Sequence, residues 1–405
     1  MTSPLSTIGV GILGTHVLWE DIETEIQKTL GVTAKFGENK TVKNIGDGIG
    51  FLSRICLIHP DWQNNSSELP QTFVVKIISQ LPMIEVDGVS AVTLFLEQKS
   101  PLLLRVEIDT YNLFNKYGDN SFAIGKMLGH RYLDETNQAK GFFIMEYMGN
   151  NKPIGLFDNI SIENCREVIK VIAKWQSVSL KQSAEFEKYE THFLSKTYGL
   201  DVAFKWCIQT VDGIRDIDHP KIKSMLQKLD EVVHHLCTEE NIRKFDELPD
   251  KLKIKRVFGH FDLWSSNVLW DRKENGELSL KAIIDYQLGS LTNPIIDFLM
   301  FLVCNINADV RRSHTKQFLQ DFHGYLSAEM DGQSPFTIEQ LEDLYQRLFP
   351  IGVLLIYGMV GPTYLSLVEK HPSDSNRLLE VLEKKFIPTL QEVIDVHEQN
   401  KEPFN

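Results

Sequence analysis

The chain has 405 residues, 42% of them hydrophobic and 24% charged, with a net charge of −13. That length exceeds one small core and calls for two or three domains or one large two-lobed molecule. The acidic balance argues against a nucleic-acid binder, which needs basic surface to neutralise phosphates, yet it permits a nucleotide held by one Lys and a metal. In chain order, residues 15–30 read as an amphipathic helix with Thr15 as its cap and Gly31 as its end. Residues 40–59 read as two strands about a glycine turn, Gly46-Asp47-Gly48-Ile49-Gly50. Residues 64–70 are loop-like, and 72–78 form a β-branched strand. A helix is predicted over 103–117 and a strand over 141–148, followed by a polar turn. From Ser161, a plausible N-cap, the pattern turns mostly helical, with helices expected over 161–180, 220–236 and 337–348. Thr337 and Gln340 have capping-box spacing. Inside this helical half lies a β island: 256–259, then 267–270 and 278–285 as a hairpin turning at Gly276.

Cysteines 56, 165, 207, 237 and 304 are scattered and make no C-x-x-C pair, so neither a disulfide framework nor a zinc site is expected. No Lys or Arg precedes the apolar run in the first 17 residues, as a secretory signal would require. The longest apolar stretch, 351–360, stops at Gly361-Pro362 and reads as a buried helix too short to span a bilayer. These features point to a cytoplasmic protein without a membrane span. The segregation of strands and helices predicts an α+β fold of two lobes, residues 1–148 and 149–405, with a cleft between them. The oligomeric state has no signature in the sequence.

One constellation carries chemistry. His260-Phe261-Asp262-Leu263-Trp264-Ser265-Ser266-Asn267 follows a strand and leads into another. Phosphoryl transfer needs a basic group for the nucleotide phosphates, a carboxylate for Mg²⁺, a second carboxylate to orient or deprotonate the attacking hydroxyl, and often an amide oxygen on the metal. The spacing lets Asp262 face a hydroxyl while Asn267 turns toward a metal, and Asp285, after an apolar strand, supplies a hard oxygen for Mg²⁺. Upstream, Lys76 sits inside an apolar strand and must find a partner or a ligand. Glu107 on the next helix is the expected partner, with Glu85 and Glu97 as competitors in the same interval. Backbone amides of Gly46, Gly48 and Gly50 can close over phosphates, although the turn lacks G-x-G-x-x-G spacing. Each feature has an ordinary alternative as a solvated loop, a strand-end turn former or a plain hairpin. Their shared order along one chain is the stronger signal.

These residues, together with 15–21, Phe51, Ile144-Met145-Glu146, 260–270 and Ile284-Asp285-Tyr286-Gln287, give the chain its resemblance. It resembles the CHK kinase-like proteins of nematodes and insects, related to ecdysteroid kinase-like enzymes. These lie in the aminoglycoside phosphotransferase and choline kinase branch of the protein-kinase-like fold. The resemblance implies an ATP- and Mg²⁺-dependent kinase of a small-molecule alcohol. It gives Asp262 the role of base and assigns Asn267 and Asp285 to Mg²⁺. It also implies that Lys76, with Glu107, contacts the ATP phosphates, that the backbone of Glu146 to Met148 holds adenine, and that Asp297 ties down the catalytic loop. The family usually has Gly where this chain has Phe261. That departure keeps open a catalytically impaired, ligand-binding pseudokinase. Trp264 and Tyr286 are candidates either for an acceptor site or for packing. A metal-dependent hydrolase using His260, Asp262 and Asp285 is a third reading, though no H-x-H or H-E-x-x-H spacing accompanies it.

Overall fold

The computed structural model describes residues 4–46, 52–63, 69–88, 91–149 and 154–405. Two compact units emerge, the first from Met1–Asp119, Ile124–Asn150 and Tyr286–Leu288, the second from Asn120–Ala123, Asn151–Asp285 and Gly289–Asn405. The architecture is α+β: a β-rich unit and a mostly helical one.

The first unit is built on an antiparallel five-stranded sheet of β1 (Thr41–Asn44), β2 (Ser53–His59), β3 (Phe73–Ile78), β4 (Met127–Arg131) and β5 (Phe142–Glu146), in the order β1-β2-β3-β5-β4. The period of two along β3 sends Phe73, Val75 and Ile77 into one core with Ile22 and Ile26 of α1 (Trp19–Leu30). The same alternation turns Lys76 to the opposite face. Helix α1 starts three residues later than the Thr15 cap would require. Thr15 bonds back to the Ile12 carbonyl at 2.8 Å, and the Asp21 carboxylate instead accepts the Leu18 amide at 2.8 Å. Gly31 ends the helix with φ 67°, as its position suggests.

Two features escape a propensity reading. Helix α2 (Leu81–Asp87) is followed by α3 (Ala91–Tyr117), which begins well before residue 103 because Pro101 is tolerated inside it. Strand β4 carries Gly129 at a register shift, which breaks its alternation. Of the expected glycine turn Gly46–Gly50, Gly48 and Gly50 lie outside the described residues; Gly46 is described, its amide donating to Asn44 Oδ1 at 3.1 Å.

The second unit holds α4 (Ile162–Lys181), α5 (Ser183–Phe186), a π-helical turn (Phe193–Tyr198), α6 (Leu200–Arg215), α7 (Pro220–Leu236) and α8 (Glu239–Lys251). After the β island come α9 (Ile296–Asn305), α10 (Ala308–Glu329), α11 (Ile338–Ile356), α12 (Val360–Lys370), α13 (Ser375–Val381) and α14 (Ile387–Gln399). Ser161 caps α4 by accepting the Asn164 amide at 3.1 Å. Thr337 and Gln340 form the reciprocal capping box at 2.9 and 3.2 Å. The hairpin is β7 (Val268–Arg272) with β8 (Leu278–Ile283), and β6 (Val257–Gly259) pairs with the unforeseen β9 (Ser290–Thr292). The apolar stretch around 351–360 does not stop at Gly361-Pro362. Pro362 falls in the first turn of α12, where its missing N–H is harmless, and Ile338–Lys370 runs as one helical stretch of 33 residues. By length and composition it is apolar enough to cross a membrane, yet Leu341, Leu344, Leu348, Ile351 and Leu354 are buried in the second unit, against α6, α9 and α14.

Candidate functional site

In the first unit the Lys76 ammonium meets the Glu107 carboxylate at 2.7 Å, both groups buried. The competitors are committed elsewhere: Glu85 to Arg54, and Glu97 to the Ser6 hydroxyl at 2.8 Å. Lys76 lies opposite Phe143 in β5 and over its ring, 5.8 Å from the centroid. Glu146 closes β5 with its amide donating to the Lys126 carbonyl at 3.0 Å and its side chain accepting the Lys126 amide. Tyr147 and Met148 follow as half-buried residues outside the strand. Tyr286 is fully buried, edge-on to Tyr111 at 5.2 Å and to Phe114 at 5.8 Å, a packing residue of this unit.

In the second unit β6 delivers the chain to the loop, and α9 fixes it. Asp297, in the first turn of α9 and 1% exposed, accepts the His260 amide at 2.7 Å and the Phe261 amide at 2.8 Å, one on each carboxylate oxygen. Burial drives its pKa up to about 6, against the pull of those two amides. His260 is fully buried and stacked on Trp175 at 6.0 Å. Its Nε2–H donates to the Ile284 carbonyl at 2.9 Å, so Nδ1 is the acceptor, and it receives the Asp262 amide at 3.3 Å. Both ring nitrogens are thereby used in shaping the loop, and neither is available as a metal ligand.

That bond to Ile284 ties the loop to the residue before Asp285. The Asn267 carbonyl in turn accepts the Ile284 amide at 3.0 Å. The Asn267 side-chain amide reaches back to the Asp262 carbonyl at 2.8 Å and to its carboxylate at 3.0 Å. Asp262, Asn267 and the residue before Asp285 are thus joined in one hydrogen-bonded corner. Two residues here hold left-handed backbone: Phe261 with φ 62° and Asp285 with φ 70°. Side chains with a Cβ avoid that region, and here it is used twice beside three polar groups. Trp264 is half-buried beside it.

The sequence offered no signal for Tyr198. It closes the π-helical turn, 4% exposed, and its hydroxyl is pushed upward by burial first and then by the negative charges of Asp262 and Asp285. Among the described residues no three His, Cys, Asp or Glu side chains cluster to hold a metal. The oxygens of Asp285 and Asn267 are nonetheless a donor set that fits Mg²⁺, which takes one or two protein oxygens and fills the rest with water and phosphate.

A second glycine run, Gly9-Val10-Gly11-Ile12-Leu13-Gly14, has G-x-G-x-x-G spacing. Among the described residues no strand leads into it, and its helical part is the 3₁₀ turn Ile12–Gly14. Its amides are spent internally: Gly9 donates to Gly14 at 2.7 Å and Gly11 to Thr15 at 2.8 Å. A Cβ on Gly9 would lie 2.4 Å from the Thr15 carbonyl oxygen, and one on Gly11 2.2 Å from that of Val17. These two glycines permit close backbone packing.

Over 117 residues the chain is 31% identical to a Caenorhabditis elegans protein named as an uncharacterized kinase-like protein; the match spans 29% of this chain and 30% of that relative. Among solved structures, a microcompartment-associated aminopropanol kinase aligns over 93% of this chain and 97% of its own, at 12% identity and a TM-score of 0.45. A Plasmodium vivax ethanolamine kinase aligns over 88% of this chain and 84% of its own, at 12% identity and a TM-score of 0.41. Likenesses this distant carry no argument about chemistry. Residues 5–401 match the family DUF1679, described as "Uncharacterized oxidoreductase dhs-27". With nearly its whole length matched, the chain belongs to the DUF1679 family.

Proposed function

We propose that the protein is an ATP- and Mg²⁺-dependent phosphotransferase acting on the hydroxyl of a small molecule. The observation that carries this reading is the corner in which Asn267 holds the Asp262 carboxylate at 3.0 Å while its own carbonyl and His260 fix the residue before Asp285. Asp262 would take the proton of the acceptor hydroxyl. Asp285 and the Asn267 amide oxygen would hold Mg²⁺, which when bound neutralises charge on the phosphates. The buried Lys76–Glu107 pair would aim the ammonium at those phosphates, with Gly46, Gly48 and Gly50 over them and the backbone of Glu146 to Met148 against adenine. In this reading residues 1–148 form a nucleotide-binding lobe and 149–405 a lobe carrying the loop and the acceptor. The partner is a small alcohol rather than nucleic acid, and the protein works in the cytoplasm without spanning a membrane.

The hydrolase reading loses its support, because both nitrogens of His260 are bonded within the protein. The word oxidoreductase in the family description finds no dinucleotide-binding frame among the described residues. Every strand pair among the described residues is antiparallel, and the Gly9–Gly14 amides point inward. Phe261 is the specific observation behind the pseudokinase alternative, in which ATP binds without turnover. ATP consumption measured against pooled sterols, amino-alcohols and sugars, with Asp262→Asn as control, separates the two. Turnover lost in the variant supports the phosphotransferase. ATP binding without turnover supports the pseudokinase, and absence of any thermal shift with ATP and Mg²⁺ sinks both.

A further inference from the structure

Phe261 holds φ 62°, a conformation open to glycine and strained for a residue with a side chain. Its amide is pinned by Asp297 at 2.8 Å, and the next residue is Asp262. The ring is 4% exposed and sits between two others: Phe193 at 4.5 Å and Phe245, edge-on, at 6.3 Å. Neither neighbour is loose. Phe193 opens the π-helical turn, whose start is gripped by the buried Asp246 carboxylate. Asp246 accepts the Leu194 amide at 3.3 Å, the Ser195 amide at 2.7 Å and the Ser195 hydroxyl at 2.6 Å. Phe245 is the residue before Asp246 on α8, so one helix supplies both the grip and half of the vise.

Behind it, Phe404 is 1% exposed and meets Phe245 edge-on at 5.8 Å. Its segment is held by Arg347, which donates to the carbonyls of Pro403 at 3.1 Å and Asn405 at 2.8 Å, and by Lys251 on the Phe404 carbonyl at 3.4 Å.

We propose that Phe261 is a positioning residue: its ring, clamped between Phe193 and Phe245, locks the left-handed turn that aims the Asp262 carboxylate. The inference rests on the phosphotransferase reading for its kinetic part only. A glycine here reaches the same φ without strain but leaves the turn held only by its hydrogen bonds to Asp297 and His260. The side chain therefore replaces conformational freedom with an aromatic anchor, and the substitution that would most relax the backbone is the one that loosens the base.

The test compares Phe261→Gly, Phe261→Leu and Phe193→Ala, with rates corrected for active fraction by nucleotide-binding stoichiometry. Phe261→Gly is expected to lower kcat by about 10- to 100-fold, the scale of a small misplacement of a reacting group, with the KM for ATP unchanged. Phe261→Leu, which refills the space, recovers most of the loss. Phe193→Ala combined with Phe261→Gly gives less than the product of the single effects, because both break one clamp. Amide hydrogen exchange over 257–268 is measured in parallel and needs no turnover: it accelerates in Phe261→Gly. Wild-type kcat together with unchanged exchange in Phe261→Gly overturns the proposal. If the wild type turns over no alcohol, the phosphotransferase reading fails, and the exchange data still decide whether the clamp exists.

Discussion

Asp297 spends one carboxylate on two consecutive amides, and its loss separates stability from catalysis. Burial raises its pKa to about 6, so its charge is disfavoured at neutral pH, and that penalty fades as pH falls through 6. Asp297→Asn removes the buried charge but turns one acceptor into a donor facing an amide, a mismatch worth about 1–3 kcal/mol. The two effects oppose each other, so the melting temperature should move little while kcat falls by about 10²-fold. A large drop in melting temperature with kcat per folded molecule unchanged would contradict the loop-anchoring role. For Asp262→Ala the expected loss is about 10²–10⁴-fold in kcat, again with folding retained. At this scale the closeness of Asn267 to Asp262 is legible in sequence, because a loop bounded by two strands has few ways to close. Tyr198 and Phe193 are not, since a π-helical turn has no hydrophobic period of its own.

Elements, rather than residues, decide the Lys76–Glu107 pair, because β3 and α3 must meet at one register. Lys76→Met leaves the Glu107 carboxylate buried without its cation, at an expected cost of about 3–5 kcal/mol in urea unfolding. Lys76→Met with Glu107→Met should recover much of that stability while ATP and Mg²⁺ still fail to raise the melting temperature. Recovery of the nucleotide shift as well would show that the pair serves the fold alone. Strand β3 is readable from its β-branched run, and Glu107 is the expected partner because it lies on the next predicted helix, with Glu85 and Glu97 left open in the same interval. The length of α3 was not readable, because Pro101 signals a break that the surrounding packing overrides. Strand β4 was hidden by Gly129 at its register shift, and β9 by its three-residue length.

For the whole molecule, the mostly helical character of the second unit follows from its capping signals, while the extent of Ile338–Lys370 emerges only when its apolar side is seen against three other helices. One contact between distant helices ties stability to acid. His235 of α7 and His397 of α14 lie 4.9 Å apart, each with a buried Nδ1 lacking a hydrogen bond. Burial, with Lys401 and His235 nearby and Glu398 opposing, lowers the His397 pKa to about 4. The unfolded chain accepts that proton near pH 6.5 and the folded one only near 4, so stability is full above about 6.5 and falls as pH drops toward 4. Urea midpoints across that window should decline in the wild type and flatten in His397→Leu. Parallel slopes would remove His397 as the cause.

Phe404 is two side chains away from the residue that sets the angle of Asp262. Whatever follows Asn405, whether native sequence or a cloning tag, leaves from a segment pinned to α8 and α11. Tension or bulk there has a short mechanical route to the catalytic loop. A fusion partner placed after Asn405 should therefore slow turnover where the same partner placed ahead of Met1 does not, and the choice of tagged end becomes a readout of how tightly this corner is held.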